Sequence, residues 1–556
     1  MRIFTFLSAL AVVMLFFPTT VHCQITRNWA TGYAASSASN AHITTDGSGN
    51  IYIAANTSVP AYTLIKYNSA GTPQWATTGA SGTSQAGSGV VGVGTDNSGN
   101  VYLVSNGASG ILVVAYNPSG AQLWSTMLNT GGRGAGAHVM AVNGSGNVFI
   151  GGQIDFSTTS STSAYMTARV SGGVQKYLST FEGSANQFSY VTGIACDNSG
   201  NAYVTGTSVG AHTYLTRGFG IGIIIRRDTS FDMTTLKYDS SGNAAWTNVY
   251  NAGINVGDFG FSVAVDPSSG NVYALGQSQV NGLVGDLVAY SSTGSQLWVY
   301  QNSTSPNDES IAIDPSGNII TGGTYYFNIS KYTSGGSLTW SYSNSSISLL
   351  GNESGGYLSM ALDKSGNCYI TSPLSNVTDY FTAEISSAGS LAWSTTYSTG
   401  GSGGSSGIAI YTPVSRFGMI VYPQVNVTGN AANGTNFTTI QYTYRPINTL
   451  SYHADSLTGL DDMLARTPPE QLFNYPNPFH GSTMISYSLF NDSHVTLQIY
   501  DQSGKLLATL FEGDQKAGTY KLPFTSSRLA AGIYHYRIAA TSSQGNFIQT
   551  KQMLIL

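Results

Sequence analysis

Acidic side chains recur at one place in the sequence, just ahead of short alternating segments, where carboxylates would suit cation or sugar binding. The members of this set are Asp258, Asp308, Glu309 and Glu353, with Glu182 in the same relative position. Arranged around the mouth of a channel, their oxygens would hold a cation or accept hydrogen bonds from sugar hydroxyls. The sequence favours the alternative interpretation, in which these acids are solvated loop residues near the starts of strands. The reason is that the first two repeats described below have no corresponding acid.

A second candidate is an insertion from Thr207 to Phe231. It contains a run of three isoleucines followed by Arg226, Arg227 and Asp228. Variable loops on a rigid scaffold are where binding usually resides. We interpret the insertion either as an extra hairpin packed on the fold or as a ligand contact.

Motifs of enzyme chemistry are absent from the sequence. It contains no HExxH, no Walker A motif and no CxxC pair, and its eight histidines are scattered rather than set at ligand spacing. We therefore predict no catalytic residue and no metal site. The alternative is a polysaccharide lyase or glycoside hydrolase, which would need two inward carboxylates at catalytic separation.

The composition indicates many short strands joined by tight turns. Of 556 residues only 8% are charged and 41% are hydrophobic, so Gly, Ser, Thr and Asn supply the polarity. That much apolar and aromatic surface argues against disorder. The net charge of −5 and the lack of a Lys/Arg cluster argue against nucleic acid and anionic membranes as partners. We expect a monomer.

The N-terminus is typical of a secretory signal peptide. Arg2 precedes an apolar run, from Ile3 to Phe17, that is too short to span a bilayer. We predict a signal peptide over residues 1–23, with lipidation of Cys23 as the alternative to cleavage after it. The remaining thiols, Cys196 and Cys368, are interpreted as small buried hydrophobes rather than a disulfide.

A sequence motif of the form Asp-x-Ser-Gly-Asn-apolar-Tyr, called the repeat phrase below, recurs along the chain. The strands that it predicts would position the candidate residues above. The repeat phrase begins at Asp46, Asp96, Asn143, Asp197, Asp266, Asp314 and Asp363. After most of these, a second Ser-Gly or Gly-Gly turn leads to a tryptophan: Trp75, Trp124, Trp246, Trp298, Trp340 and Trp393, with Tyr177 near that position in the third repeat. Each repeat predicts four short antiparallel strands, which is the pattern of a β-propeller blade.

The leading Asp of the phrase has two interpretations. As a turn cap it would accept hydrogen bonds from the turn backbone. As a calcium ligand it would need several more carboxylates, whereas each turn supplies one and Asn143 replaces it once. We favour the turn cap and predict no cofactor, with calcium left as the alternative.

The ends of the chain set the number of blades. Trp29 stands without preceding strands, while the segment from about residue 407 to 445 supplies three strands without a tryptophan strand. Joining the two in one sheet would remove free edges. We predict an all-β fold with an eight-bladed propeller over residues 24–445, closed by the N-terminal strand, and seven blades as the alternative.

These repeats resemble the SBBP propeller family of exported bacterial proteins. The resemblance covers residues 24–445 and implies an architecture rather than an activity.

Residues 446–471 are interpreted as a linker, and 472–556 as a small Ig-like antiparallel β-sandwich. This last segment resembles the C-terminal sorting domain of type IX secretion. The matching residues are Asn474, Tyr475, Pro476, Asn477, Pro478, Phe479, Gly532, Ile533, Tyr534 and Lys551. The resemblance implies an outer-membrane secretion machinery as partner and delivery to the cell surface or the extracellular space.

Three functions are consistent with the sequence. The leading hypothesis is a non-catalytic binding or adhesion module for a glycan or a surface protein. The others are the carbohydrate-active enzyme above, and a structural surface protein without a specific ligand, whose loop face would carry no pocket.

Overall fold

The computed structural model describes residues 23–446 and 472–555, with gaps. The gaps are 35–38, 59–60, 81–88, 108, 157–161, 185–186, 218–222, 254–255, 281, 304–307, 324–326, 348, 350–357, 375–378, 399–403, 412–422, 432–435, 476–478, 490–491, 503, 527–528 and 543–544. The chain divides into two compact units, 1–449 and 450–556. Among the described residues, no helix is long and apolar enough to cross a membrane.

The described part of the first unit is built of eight four-stranded antiparallel sheets. Sheet 8 opens with the first strand of the chain, β1 (Cys23–Ala34). Sheet 1 contains β2 (Ser39–Thr45), β3 (Ile51–Ser58), β4 (Ala61–Tyr67) and β5 (Pro73–Ala80). Sheet 2 contains β6 (Gly89–Thr95), β7 (Val101–Gly107), β8 (Gly110–Tyr116) and β9 (Gln122–Met127). Sheet 3 contains β10 (Ala135–Val142), β11 (Val148–Asp155), β12 (Ser163–Ser171) and β13 (Val174–Phe181).

The next four sheets repeat this order. Sheet 4 contains β14 (Tyr190–Cys196), β15 (Ala202–Arg217), β16 (Ile223–Tyr238) and β17 (Ala244–Tyr250). Sheet 5 contains β18 (Asp258–Val265), β19 (Val272–Ser278), β20 (Val284–Tyr290) and β21 (Gln296–Asn302). Sheet 6 contains β22 (Asp308–Ile313), β23 (Ile319–Gly323), β24 (Asn328–Tyr332) and β25 (Leu338–Ser343). Sheet 7 contains β26 (Ser359–Leu362), β27 (Cys368–Pro373), β28 (Asp379–Ile385) and β29 (Leu391–Ser398). Sheet 8 is completed by β30 (Gly404–Tyr411), β31 (Gln424–Ala431) and β32 (Asn436–Pro446).

The first strands of the sheets follow one another in a closed circuit. Each of β2, β6, β10, β14, β18, β22 and β26 contacts the first strand of the next sheet, and β30 contacts β2. In sheet 8 the chain's two ends meet, because β1 pairs antiparallel with β32 and sets Trp29 opposite Gln441. This is the pairing expected between the segment around Trp29 and the last repeat. It leaves β32 no free edge.

The Asp of the repeat phrase caps its own turn. Asp96 Oδ1 accepts hydrogen bonds from the backbone N–H groups of Ser98 and Asn100, both at 2.9 Å. Its Oδ2 accepts from Asn100 Nδ2 and from the Tyr102 hydroxyl, both at 2.8 Å. The phrase is therefore a set of mutual partners. In sheet 3 both the Asp and the Tyr are replaced, by Asn143 and Phe149, whereas sheet 6 keeps Asp314 and has Ile320 at the Tyr position.

Removing one member of this set should cost about 1 kcal/mol. We expect Tyr102→Phe to lower the free energy of unfolding by about that amount, because a carboxylate oxygen loses one of its donors. Thermal denaturation of Tyr102→Phe, Asp96→Asn and the double variant measures the effect. The double variant should cost less than the sum of the single variants. Additive losses would show that the two side chains do not act together.

Five tryptophans, those of sheets 1, 2, 4, 5 and 6, pack beneath the second turn of the next sheet. A Cβ added to Gly294 would lie 2.6 Å from Trp246 Cγ, and one added to Gly389 would lie 2.6 Å from Trp340 Cγ. The indole N–H of Trp246 donates to Ser292 O at 3.3 Å. The same glycine–aromatic pairing recurs between Gly120 and Trp75, Gly173 and Trp124, Gly242 and Tyr177, and Gly336 and Trp298. The repeated Trp and Gly are thus partners across neighbouring sheets.

The second unit consists, in its described part, of two antiparallel sheets. The strands are β33 (Phe473–Tyr475), β34 (Ser482–Leu489), β35 (Ser493–Tyr500), β36 (Leu506–Gln515), β37 (Gly518–Thr525), β38 (Gly532–Ser542) and β39 (Gly545–Ile555). They are ordered β33-β34-β37 and β36-β35-β38-β39. Both sheets contribute to one apolar core, with Ile485 and Tyr487 from the first and Leu497 and Ile538 from the second.

Candidate functional site

A β-bulge in the first strands shapes the space they share. In β10, β14, β18 and β22 the register with the second strand shifts near the strand start. The extra residues at these shifts are His138, Thr192, Phe261 and Glu309. A bulge leaves its extra residue unpaired and re-aims its side chain. All four line one cavity of about 800 Å³.

Two further cavities lie along the same strands. One of about 480 Å³ shares His138, Thr192 and Ser310 with the first and is lined by mid-strand residues such as Met140 and Ile194. Another, of about 550 Å³, lies where the first strands end and is lined by turn residues that include Asp46 and Asp314. The carboxylates there cap their own turns.

Glu309 is the carboxylate among the described residues that line the 800 Å³ cavity. Burial raises the pKa of Glu309 to about 7, and the negative charge of neighbouring Asp308 acts in the same direction. Its Oε2 is buried and has no hydrogen-bond partner among the described residues. A buried oxygen of this kind costs about 1–3 kcal/mol until a donor reaches it.

His138 lines the same cavity in its neutral form. Its Nδ1 lies 3.0 Å from Val191 O, so Nδ1 carries the proton and donates it to that carbonyl. Burial lowers the pKa of His138, which keeps the ring uncharged at neutral pH. The edge of the ring faces Tyr190, with centroids 6.2 Å apart. Nε2 is therefore left with a lone pair.

Aromatic, hydroxyl and amide side chains also belong to the described lining, the amides being those of Gln277 and Gln279. Tyr190, Phe259 and Phe261 contribute rings, and no Lys or Arg stands among the described residues of the lining. Thr192 Oγ1 donates to Gly260 O at 2.7 Å, and Ser310 Oγ donates to Leu358 O at 2.5 Å. These hydroxyl hydrogens are committed to backbone carbonyls, so their oxygens can only accept.

Of the predicted acidic set, the structure brings Glu309 to the cavity and places Asp258, Asp308 and Glu182 elsewhere. Asp258 and Asp308 are buried at the first position of their strands. Asp258 Oδ2 accepts from Ala252 N at 3.0 Å, and Asp308 accepts from Thr321 and Asn328. Glu182 is exposed, and Glu353 lies outside the described residues.

A buried polar network close to Asp258 was not predicted from the sequence. Asp232 accepts from His212 Nε2 and from Asn251 Nδ2, each at 2.9 Å. Asp286 accepts from the Tyr250 hydroxyl at 3.0 Å and contacts Ser278. Burial raises the pKa of Asp258 to about 6 and also raises that of Asp286. The sequence contained one indication of this network, namely that Asp232 and Asp286 fall inside strands of a chain that has few charged residues.

The insertion forms a long hairpin. Strands β15 and β16 each have 16 residues and pair without interruption, with Arg226, Arg227 and Asp228 opposite Tyr214, Thr213 and His212. Of the two interpretations of the insertion, the pairing of β15 with β16 agrees with a hairpin. At its base, the Phe231 ring lies 5.4 Å from Phe259, which lines the cavity, and Thr207 lines it directly.

Among the described residues of both units, no group of three His, Cys, Asp or Glu side chains is placed to hold a metal ion.

The residues of the predicted sorting motif lie in the second unit. Asn474 Nδ2 donates to Thr483 Oγ1 at 3.2 Å, and the buried Phe479 packs edge-on against Phe524. Tyr475 pairs with Met484 in the sheet, whereas Pro476, Asn477 and Pro478 lie outside the described residues. Gly532, Ile533, Tyr534 and Lys551 lie in the paired strands β38 and β39, and the Tyr534 hydroxyl donates to Ala530 O.

These residues lie in a segment of the chain that matches a known protein family. The family described as "Secretion system C-terminal sorting domain" matches residues 474–554. The chain carries a type IX sorting domain. Such a domain implies an interaction with the type IX secretion machinery and secretion to the cell surface or the extracellular space.

Solved structures resemble the chain at low similarity, and no curated protein matches it. A streptogramin B lyase is 11% identical with a TM-score of 0.37, covering 74% of this chain and 97% of that one. An inactive virginiamycin B lyase from Staphylococcus aureus, with quinupristin, is 12% identical with a TM-score of 0.39, covering 64% and 96%. A protein of unknown function from Bacteroides caccae is 11% identical with a TM-score of 0.30, covering 51% and 90%.

Proposed function

We propose that the chain is an exported, eight-bladed β-propeller of the SBBP type, delivered by its sorting domain. In this proposal residues 1–23 are a signal peptide, 24–445 the propeller, 446–471 a linker and 472–556 an Ig-like β-sandwich. The closed circuit of first strands and the pairing of β1 with β32 support the propeller and its blade count. The two sheets that share one core support the sandwich.

We further propose that the propeller binds a ligand without transforming it, and that the 800 Å³ cavity is the site. The observation that carries this is a cavity of ligand size into which bulges of four neighbouring first strands bring His138, Thr192, Phe261 and Glu309. A structural protein without a ligand would have no need of such a cavity. A glycosidase would need a second carboxylate, and the described lining contains Glu309 as its single one.

A binding screen on the secreted chain tests the function. A glycan array, run with and without calcium, should show saturable binding that is lost on replacing Phe261→Asp, which removes an aromatic ring from the cavity lining and adds a charge to it. Phe188→Asp is the matched control, since Phe188 is 56% exposed and does not line the cavity. Binding that survives Phe261→Asp would place the site elsewhere.

An enzyme remains the second candidate because of one observation. A neutral His138 and a Glu309 that titrates near neutrality line the same cavity, which is an acid–base combination. Turnover of a glycan from the same screen, abolished in both His138→Ala and Glu309→Gln, would replace the binding function with a lyase activity.

Delivery by the sorting domain has its own test. In a host with type IX secretion, removal of residues 472–556 should leave the chain in the periplasm. Cell fractionation with an antibody to the propeller measures this, and Phe188→Asp in the full chain should still reach the surface. Surface display of the truncated chain would contradict the proposal.

A further inference from the structure

Three polar side chains in the described lining of the 800 Å³ cavity have already given their hydrogens to the backbone, while Gln277, Gln279 and Thr207 also line it. The hydroxyl hydrogens of Thr192 and Ser310 and the Nδ1 hydrogen of His138 are given to backbone carbonyls. What these three side chains retain toward a ligand is lone pairs.

Glu309 adds a negative charge to the same lining. The nearest charge acting on it is that of Asp308, which has the same sign, and neither Lys nor Arg is among the described lining residues. Some buried carboxylates elsewhere in this unit are well supplied with donors, although Asp258 Oδ1, like Glu309 Oε2, has no hydrogen-bond partner among the described residues. Asp96 accepts four hydrogen bonds and Asp308 accepts from two side chains, whereas Glu309 Oε2 accepts none among the described residues.

Aromatic rings stand in the same cavity. Tyr190, Phe259 and Phe261 line it, and ring faces attract cations, more strongly where water is excluded. Charge, lone pairs and rings therefore favour the same kind of ligand group. An anionic ligand would face Glu309 without a compensating cation.

We propose that this cavity binds a primary ammonium group, held by Glu309 and by the lone pairs of His138, Thr192 and Ser310. This inference rests on the proposed binding function and specifies its ligand chemistry. An ammonium carries a positive charge and three N–H donors, which suit a carboxylate that lines one cavity together with further acceptors. An amino sugar and a lysine side chain are the two sources of such a group, and a cavity of about 800 Å³ accommodates either.

Paired ligands that differ only by acetylation of their side-chain or sugar amines test the chemistry. Calorimetric titration of the full mature chain would use a glucosamine oligomer against its N-acetylated counterpart, and a lysine tripeptide with an acetylated N-terminus against the same peptide with acetylated Nε groups. We expect acetylation to weaken binding at least about tenfold, because it removes the charge and two donors. The pair that shows binding identifies the source.

Glu309→Gln is the decisive variant. It keeps the size of the side chain and removes its charge, so we expect the ammonium ligand to bind at least about tenfold more weakly while the chain stays folded. Glu182→Gln, at an exposed acid outside the cavity, should leave affinity unchanged. For the lysine peptide, affinity in the unmodified chain should rise as pH increases through about 7, since Glu309 ionises there while lysine stays protonated.

The outcomes separate this inference from the function on which it rests. If an acetylated or neutral ligand binds and is lost in Phe261→Asp but not in Glu309→Gln, the cavity is a binding site and the ammonium inference is wrong. If neither amine ligand binds at millimolar concentration, the ammonium inference is also wrong, and the glycan screen then decides the function by itself.

Discussion

Gly294→Ala is expected to lower the free energy of unfolding of the repeat unit by about 3 kcal/mol, and Gly131→Ala by about 1 kcal/mol. Both glycines have positive φ, +91° and +67°, so both alanines bear the cost of a left-handed backbone. They differ in their surroundings. A Cβ on Gly294 meets Trp246 Cγ at 2.6 Å, whereas a Cβ on Gly131 meets nothing within 4 Å.

Differential scanning calorimetry of the two variants measures this difference as a shift in Tm. Combining Gly294→Ala with Trp246→Leu should cost less than the two changes added together, because the smaller side chain makes room for the methyl group. Equal losses in Gly294→Ala and Gly131→Ala would show that backbone conformation alone, and not the indole, requires glycine in this turn.

The repeat phrases predicted the local structure well, because their interactions are close in sequence. The Asp–turn–Tyr set lies within seven residues, so the capping role of Asp96 followed from turn chemistry. The partner of each tryptophan did not follow, since Trp246 meets a glycine 48 positions later, in another sheet. Such a contact depends on how sheets stack, which periodicity within a sheet does not specify.

The candidate site was only partly predictable for a related reason. Asp308 and Glu309 are adjacent and were treated alike, yet one is buried among donors and the other lines the cavity. The bulge between Asp308 and Ser310 separates them, because one extra residue re-aims the side chains of a strand. No sequence signal marks that bulge. The bulges of this strand and of the neighbouring first strands become visible only when the pairing of each first strand with its second strand is known.

Glu384 marks the place where the repeat changes to close the circuit of sheets. In three sheets a lysine and the tryptophan both donate to one turn carbonyl of the next sheet. The pairs are Lys66 and Trp75 on Pro118 O, Lys237 and Trp246 on Ser292 O, and Lys331 and Trp340 on Ser387 O. Sheet 7 faces sheet 8, whose strands β32 and β1 come from distant parts of the chain and have no turn between them.

The missing carbonyl is replaced within sheet 7 itself. Glu384 stands at the lysine position, opposite Trp393, and its Oε2 accepts the indole N–H at 2.6 Å. Burial raises the pKa of Glu384 to about 7 against the opposing effect of Trp393, and the charge of Asp363 raises it further. The folded chain therefore binds this proton more tightly than the unfolded chain, whose glutamates have pKa values near 4.5.

The stability that this proton supplies is complete below about pH 4.5 and is lost as pH rises through 7. We expect Glu384→Gln to match the unmodified chain at pH 4.5 and to exceed it by about 2–3 kcal/mol at pH 8, because the amide keeps an acceptor for Trp393 without a charge. Subtracting the two stability profiles removes the contributions of Glu309 and Asp258, whose pKa values are also raised. Chemical denaturation across this pH range measures the difference, with exposed Glu182→Gln as the control.

Glu384→Lys separates the role of the acceptor from the role of the charge. It introduces the lysine that those three sheets have, but no turn carbonyl stands between β32 and β1 to receive it, and Trp393 loses its acceptor. We expect a loss of about 3 kcal/mol or more at every pH, since two buried donors are left unpaired. A lysine variant as stable as the unmodified chain would mean that Trp393 needs no acceptor at this seam. The missing turn would then not explain why sheet 7 has a glutamate where three other sheets have a lysine.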